Sequence, residues 1–309
     1  LFLTETARLA DVVLPAATWG EKLGTFTNAD RTVHLCAKAV DAPGEARADL
    51  DIFLDYARRM DFTDRDGAPL LTWHDSESTF EAWKACSAGR PCDYTGLSYA
   101  QLGVGSGIQW PCTATATGGT ERLYHDAHFP TEPQYCQTYG RDLETGAEQT
   151  AEQYRASHPS GRAFLHAVSY LPSPETPSDD YPLLLNTGRT VSHFHTRTKT
   201  GRAPELNAAA PDVWVEMNPV DAGELGVGEG DVVVLRSLRG CITAPVRLSD
   251  IRPGTVFVPF HYGYWDTDPT RRDRAANELV ATHWDAASKQ PLFKLTAVNV
   301  SRAPAEARS

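Results

Sequence analysis

The sequence predicts an α/β segment followed by a mainly β domain, and three observations support this fold class. Near the start, apolar residues between positions 50 and 57 repeat at helical spacing. From residue 181 onward, short runs of apolar and β-branched residues alternate with Gly, Pro and Asp, as in strands joined by tight turns. Between these parts, Pro, Gly and Ser interrupt every periodic run. We therefore predict three segments: residues 1–60 as the end of an α/β domain, 61–178 as covering structure and linker, and 179–306 as the β domain.

The first segment is predicted to contain a short helix, two extended pieces and one amphipathic helix. Residues 4–9 are typical of a helix, and residues 10–14 form an apolar run that Pro15 ends, which predicts a buried strand. A second extended piece is predicted at residues 32–35. The amphipathic helix is predicted from four apolar residues that follow the i, i+3, i+4, i+7 rule: Leu50, Phe53, Leu54 and Ala57.

The β domain is predicted to be a barrel or a sandwich. A helix of one or two turns is predicted within it, because Asn218 can act as N-cap, Pro219 suits the first helical position and Gly226 suits the C′ position. Short strands with only brief helices leave few other ways to bury both apolar faces, so we expect a closed barrel of six or seven strands. The predicted strands are 181–186, 212–217, 231–237, 241–248 and 255–260.

The charge of the chain limits its partners. It carries 29 basic and 40 acidic residues, a formal net charge of −11, which excludes a nucleic-acid binder that uses a broad basic surface. No apolar run reaches the ~18 residues that a transmembrane helix needs, and the first residues lack the basic and apolar regions of a signal peptide. We therefore expect no membrane insertion. We also expect a cytoplasmic location, although any localisation signal would lie in a segment before Leu1.

One basic, hydroxyl-rich run lies inside this acidic chain. No Asp or Glu occurs between residues 181 and 204, and Gly188 with several Ser and Thr residues can approach or donate to phosphate oxygens. This chemistry suits a phosphate-bearing ligand, although a solvated basic loop is the alternative. The basic residues of the run are Arg189, Arg197, Lys199 and Arg202.

No metal site is predicted. The six cysteines include no Cys-x-x-Cys pair and no His at zinc-finger spacing, so neither a zinc site nor an iron–sulfur motif is present. His193 and His195 could place two imidazoles on one strand face, but no third ligand lies nearby in sequence. Hydrogen bonding to a ligand is the better interpretation of both.

Ordered motifs along the chain resemble the molybdopterin oxidoreductases of the dimethyl-sulfoxide-reductase superfamily. They are ADVVLPAATWGEKLGTFTN (10–28), TGRTVSHFHT (187–196), GEGD (228–231), RPG (252–254), VPFH (258–261), AN (276–277) and SKQPLFK (288–294). Three further motifs resemble the nitrate-reductase branch: IQWPC (108–112), GTERLY (119–124) and GRA (161–163). The resemblance therefore extends over nearly the whole chain.

The resemblance implies the carboxy-terminal part of a larger subunit. Residues 1–60 would be the end of the α/β molybdopterin-binding domain, and residues 179–306 would be a double-psi β-barrel that binds molybdopterin dinucleotide. The implied cofactor is bis-molybdopterin guanine dinucleotide with molybdenum. The chain opens on Leu1 inside a helical run, so we expect an amino-terminal portion of the same subunit to carry the iron–sulfur cluster and the protein ligand to molybdenum.

The family's cofactor contacts fall on positions whose chemistry suits them. Asp49, at a helix start, can accept two N–H donors from a guanine edge, and Lys22 and Lys294 can donate to pterin or phosphate oxygens. Asn277 offers both a donor and an acceptor to a heterocycle. The full set implied by the resemblance is Lys22, Asp49, Thr187, Gly188, Arg189, Ser192, His193, His195, Thr196, Asn277 and Lys294. No catalytic residue is assigned, and Phe260 and His261 are expected either to border the substrate channel or to pack.

The resemblance implies a molybdenum-dependent oxidoreductase that reduces nitrate, a small anion, to nitrite with electrons from a donor protein or subunit. A formate dehydrogenase of the same superfamily is the alternative. A non-catalytic dinucleotide-binding module is a third hypothesis from another class. Because the cluster and metal ligands are not in this chain, we expect the 309 residues alone to be catalytically inactive.

Overall fold

The computed structural model describes residues 1–126, 169–263, 274–285 and 289–304. These residues form two compact units, one made of the described residues from Thr6 to Asp126 and the other of Phe2–Glu5 with those from Ser169 onward. A short helix α1 (Glu5–Arg8) lies at the boundary in sequence. The segment 133–160, the GRA motif (161–163) and most of the segment 262–274 lie outside the described residues.

The first unit combines three helices with a small antiparallel sheet. Strands β1 (Gly24–Thr27), β2 (Thr32–Cys36) and β3 (Ile108–Gln109) pair in that order, with Thr25 opposite Leu35 and Val33 opposite Ile108. The helices are α2 (Asp49–Arg59), α3 (Ser76–Ser87) and α4 (Tyr99–Leu102), and a 3-10 turn covers Trp19–Glu21.

A core cluster joins β2 to the segment 80–112. Its members are buried apolar residues, and Phe80, Tyr94 and Tyr99 meet through aromatic ring contacts. Asp75 caps α3 by accepting from the Ser78 N–H at 2.8 Å. The predicted extended piece near residue 32 and the predicted amphipathic helix are confirmed as β2 and α2. The cluster consists of Val33, Phe80, Tyr94, Leu97, Tyr99, Leu102 and Cys112.

The predicted buried strand at residues 10–14 is wrong. The segment has no strand structure, and Val12, Val13 and Leu14 are exposed. An apolar run becomes a strand only when a neighbouring chain pairs with its N–H and C=O groups, and no described residue pairs with this run. Phe53 also differs from prediction, since it is exposed while Leu54 and Ala57 on the same helix are buried.

The second unit is a closed six-stranded barrel, as predicted. Its strands follow the order β4-β8-β5-β7-β6-β9 around the barrel. The β4–β8 and β5–β7 pairs are parallel, and the other pairs are antiparallel. The strands are β4 (Leu183–Gly188), β5 (Val215–Met217), β6 (Val232–Arg236), β7 (Cys241–Leu248), β8 (Thr255–Pro259) and β9 (Thr296–Arg302).

Buried and outward-facing side chains alternate along the strands, and the buried side chains fill the barrel. On β7, Ile242, Ala244 and Val246 are buried while their neighbours face outward. Helices α5 (Pro204–Ala209) and α6 (Pro219–Glu224) and two 3-10 turns, Thr200–Arg202 and Ala276–Glu278, connect the strands. The predicted capping of α6 is confirmed, because the Asn218 side chain accepts from the Val220 N–H at 2.9 Å and Gly226 has a φ of 65°.

Within the described ranges, no helix combines the length and apolar character needed to cross a bilayer.

Candidate functional site

The basic run predicted from the sequence follows strand β4, and we call residues 189–199 the β4 loop. Gly188, the last residue of β4, is packed against the ring of Phe257 on the neighbouring strand. A Cβ atom at position 188 would lie 2.5 Å from Phe257 Cε2. The loop therefore leaves the barrel at a point where only glycine fits without moving the ring.

His261 joins two points of the β4 loop. Its Nε2 accepts a hydrogen bond from the Thr190 N–H at 2.9 Å, so its Nδ1 carries the proton and donates to the carbonyl oxygen of His195 at 2.5 Å. The ring is buried, and burial lowers the pKa of His261. His261 therefore acts on the loop as a neutral imidazole, a role that neither sequence alternative had assigned to it.

His193 is held by the protein through both ring nitrogens. Its Nε2 lies 2.7 Å from the carbonyl oxygen of Ala210, and its Nδ1 lies 3.0 Å from Thr200 Oγ1. The ring is buried, and both nitrogens stabilise the loop. Hydrogen bonding of the His193 imidazole to a ligand stays a prediction, and it would require one of these two contacts to be exchanged. His195, by contrast, is exposed and has a φ of 45°.

The four basic residues of the run do not share one role. Arg197 is buried, its guanidinium lies 4.6 Å from the centre of the Tyr262 ring, and its Nη2 donates to Asn207 Oδ1 at 2.6 Å. Arg202 stacks on Phe2 at 4.3 Å. Arg189 is exposed at the start of the β4 loop and Lys199 is exposed at its end, so either cation can meet an anion.

Arg189 and Lys294 converge on one aromatic ring. The Arg189 guanidinium lies 5.3 Å and the Lys294 ammonium 5.7 Å from the centre of the Phe260 ring. Burial, and secondarily the charge of Arg189, lower the pKa of Lys294. Nearby, Thr190 Oγ1 is buried without a hydrogen-bond partner among the described residues. Two converging cations and an unsatisfied hydroxyl fit the oxygens of a phosphate-bearing ligand.

A clasp supports the segments that carry Asn277 and Lys294. Arg239 donates to both carboxylate oxygens of Glu175, at 3.0 and 2.9 Å, and to the carbonyl oxygen of Leu279 at 3.0 Å. Glu175 Oε2 also accepts from the Ala297 N–H at 3.1 Å. Asn277 is exposed in the 3-10 turn that Leu279 follows. Sequence reasoning missed this clasp, because its members are far apart in the chain and lie in no recognisable motif.

The two candidate residues of the first unit form an ion pair. The Lys22 ammonium donates to Asp49 Oδ2, and this hydrogen bond lowers the pKa of the Asp49 carboxyl. Lys22 also lines a cavity of about 870 Å³. The wall of the cavity combines aromatic rings with cations, and among its residues are Lys22, Phe26, Lys38, Arg47, Trp83 and Tyr94. The wall also carries the carboxylates of Glu21, Asp51 and Asp75, so its rings suit a heterocycle and its charges suit polar groups of either sign.

The structure thus brings together part of the predicted set. Thr187, Gly188, Arg189 and Lys294 meet at the end of β4, whereas Ser192, His195 and Thr196 lie farther along the loop. Lys22 and Asp49 meet in the first unit. In the part of the chain that the structure describes, no group of three His, Cys, Asp or Glu side chains could hold a metal ion.

Two family models match the chain. Residues 1–59 match the molybdopterin oxidoreductase model, and residues 183–297, which include β4, its loop and Lys294, match the molybdopterin dinucleotide-binding domain.

Relatives match almost the whole chain. It is 36% identical to the F420-dependent formate dehydrogenase subunit alpha of Methanocaldococcus jannaschii, over 98% of the chain and 38% of that protein. It is 31% identical to the periplasmic nitrate reductase of Desulfovibrio desulfuricans, over 96% of the chain and 36% of that protein. The chain thus spans less than two fifths of the length of these relatives.

A solved structure shares the fold. Acetylene hydratase from Pelobacter acetylenicus matches 98% of the chain and 39% of its own length, with a TM-score of 0.62 and 17% identity. The family models, the relatives and the barrel agree with one another. The chain therefore belongs to the molybdopterin oxidoreductases of the dimethyl-sulfoxide-reductase superfamily, whose cofactor is bis-molybdopterin guanine dinucleotide with molybdenum.

Proposed function

We propose that this chain supplies cofactor-holding surfaces to a molybdenum-dependent oxidoreductase that reduces nitrate to nitrite. The observation that carries the proposal is the convergence of Arg189 and Lys294 beside the unsatisfied Thr190 hydroxyl at the end of β4. Within an acidic protein, this cluster is suited to a phosphate diester. The expected residues Lys22, Asp49 and Asn277 would hold further parts of the cofactor.

The residues of the chain would bind and orient the cofactor without taking part in bond changes. Arg189 would donate in a bidentate manner to phosphate oxygens, and Lys294 would add a second positive charge. Gly188 lets the backbone turn closely against Phe257, and His193 and His261 fix the shape of the loop. When bound, the cofactor would supply oxygen-atom transfer, in which nitrate, two electrons and two protons give nitrite and water.

Nitrate is proposed as substrate because the segments 108–112 and 119–124 resemble the nitrate-reductase branch. These segments are held by Arg31, which donates to the carbonyl oxygens of Thr120 at 2.9 Å and Glu121 at 2.8 Å and also to that of Trp110. The periplasmic nitrate reductase relative adds support. The same proposal includes three further points. An electron-donor protein or subunit supplies the electrons, an amino-terminal portion carries an iron–sulfur cluster, and the protein is cytoplasmic.

Formate oxidation is the second candidate. One observation favours it: the formate dehydrogenase subunit is 36% identical to this chain, whereas the nitrate reductase is 31% identical. Both substrates are small anions, and the residues that would discriminate between them have no assignment in this chain.

The experiment is a paired assay on the full-length protein that contains this chain. Its molybdenum and guanine nucleotide contents are measured first. Nitrate-dependent oxidation of a reduced viologen dye is then compared with formate-dependent dye reduction. We expect bound guanine nucleotide and nitrate activity. Formate activity without nitrate activity would favour the second candidate. Bound guanine nucleotide without either activity would indicate a non-catalytic binding module. The absence of bound guanine nucleotide would overturn the proposal.

A further inference from the structure

We propose that His261 is the positioning residue of the β4 loop, that its neutral imidazole keeps the loop in the shape that retains the dinucleotide, and that its protonation releases the ligand. This inference rests on the proposed function, because it takes the β4 loop as the cofactor-holding segment. The inference adds to that function a control by pH over how firmly the protein retains the cofactor.

The hydrogen bonds of His261 are compatible with only one protonation state. Nε2 accepts from the Thr190 N–H, so it cannot also carry a proton, and Nδ1 must then donate to the His195 carbonyl. The imidazolium ion has two N–H donors and no acceptor, so protonation breaks the bond to Thr190. Because His261 is only 1% exposed, water cannot readily replace that bond.

The groups around His261 favour the neutral ring. Burial is the largest cause and lowers the pKa of His261. The hydrogen bond to the His195 carbonyl raises this pKa. The positive charges of His193, Arg189 and Arg197 lower it further. The neighbouring Tyr262 is also titratable, but burial raises its pKa to about 12, so it stays neutral. Since the folded-state pKa of His261 lies below its ordinary 6.5, the loop contact is fully present above about pH 6.5 and is lost as the pH falls through the lowered value.

The two contacts of His261 set the positions of groups that we propose to contact the ligand. Thr190 carries the unsatisfied hydroxyl and follows Arg189, and His195 is held at a φ of 45°. Losing the Thr190 contact frees both Thr190 and the adjacent Arg189. Protonation also adds a positive charge, which by itself would favour an anionic ligand. We predict that the loss of loop geometry outweighs this attraction, so acidification should speed release.

The test measures release of molybdenum and guanine nucleotide from the purified holoenzyme between pH 5 and 8. The wild-type protein should release cofactor faster on acidification, by up to about tenfold per pH unit below the titration midpoint. His261→Gln has an amide oxygen for Thr190 and an amide N–H for His195, so it should retain cofactor and lose the pH step. His261→Ala should release cofactor quickly at every pH. His74→Gln, an exposed histidine of the first unit, is the control and should keep the wild-type step.

A second measurement needs no variant. Hydrogen exchange of the β4 loop, corrected for intrinsic rates, should rise on acidification relative to a peptide from β7 in the same barrel. A pH step that persists in His261→Gln, or loop protection that does not change with pH, would overturn the inference. In either case, retained nucleotide in the wild-type protein would leave the proposed function standing. A wild-type protein with no nucleotide would overturn both.

Discussion

Lys294 and Thr187 connect the segment before β9 to the end of β4 through two hydrogen bonds. The Lys294 ammonium donates to the main-chain carbonyl oxygen of Thr187, and the Thr187 hydroxyl donates to the carbonyl oxygen of Phe293 at 2.9 Å. The segment before β9 is thereby fixed to the end of β4. Because an ammonium group has three donors, Lys294 can hold this contact and still donate to a phosphate.

Replacing Arg189 by Ala should weaken cofactor retention by about one to two orders of magnitude. The change removes a guanidinium that can form charge-assisted hydrogen bonds with phosphate, which contribute roughly 1.5–3 kcal/mol each. Molybdenum content and activity should fall in parallel when both are measured per protein. Arg252→Ala, an exposed arginine in the turn before β8, is the matched control and should change neither. Full occupancy with collapsed turnover in Arg189→Ala would place Arg189 at the reaction centre instead.

Asp49→Asn should also lower molybdenum content and activity together. The substitution keeps the shape but replaces one acceptor oxygen with a donor and weakens the ion pair with Lys22. The pKa of Asp49 is lowered by Lys22, so the stabilisation by this pair is present above the ordinary value of 3.8 and is lost as the pH falls through the lowered value. Cofactor retention measured against pH should therefore show an acid-side loss in the wild type that Asp49→Asn lacks. Unchanged retention in Asp49→Asn would remove this residue from the cofactor-binding set.

Gly188→Ala should destabilise the barrel by about 1–3 kcal/mol, because the added methyl group would displace the Phe257 ring. Gly223 in helix α6 is the matched control, since a Cβ there meets no atom within 4 Å. Gly223→Ala should instead stabilise the protein by about 0.5–1 kcal/mol. Denaturant unfolding of the three proteins measures both effects. Equal stability of Gly188→Ala and wild type would show that the ring moves at no cost.

The Glu175–Arg239 clasp should show a coupling energy of about 1.5 kcal/mol or more in a double-mutant cycle with Glu175→Gln and Arg239→Met. The Glu175 side chain is only 12% exposed, that of Arg239 is 29% exposed, and the hydrogen bonds are bidentate. The exposed Lys38–Asp41 pair is the comparison and should show no measurable coupling. A clasp coupling as small as that of the surface pair would mean that Glu175 and Arg239 do not brace the segments around Asn277 and Lys294.

The barrel could be predicted because its signals are local. Short alternating runs give the strands, and the Asn218, Pro219 and Gly226 positions give helix α6, without knowledge of any distant contact. The strand predicted at residues 10–14 failed because apolar composition does not reveal whether a pairing partner is present.

The candidate site could be predicted only in part. Composition and the resemblance located the β4 loop, but they could not separate the exposed Arg189 from the buried Arg197. His261 contacts Thr190, and Arg239 contacts Glu175, although the two residues of each pair are more than 60 positions apart in the sequence. No spacing rule within the sequence encodes such contacts.

The most direct test of the central claim is an experimental structure of the cofactor-loaded protein at a resolution that defines phosphate positions. We expect phosphate oxygens of one molybdopterin guanine dinucleotide within hydrogen-bond distance of both Arg189 and Lys294, with the Thr190 hydroxyl donating to the same ligand. A dinucleotide bound elsewhere, with Arg189 and Lys294 facing only solvent or protein, would contradict it.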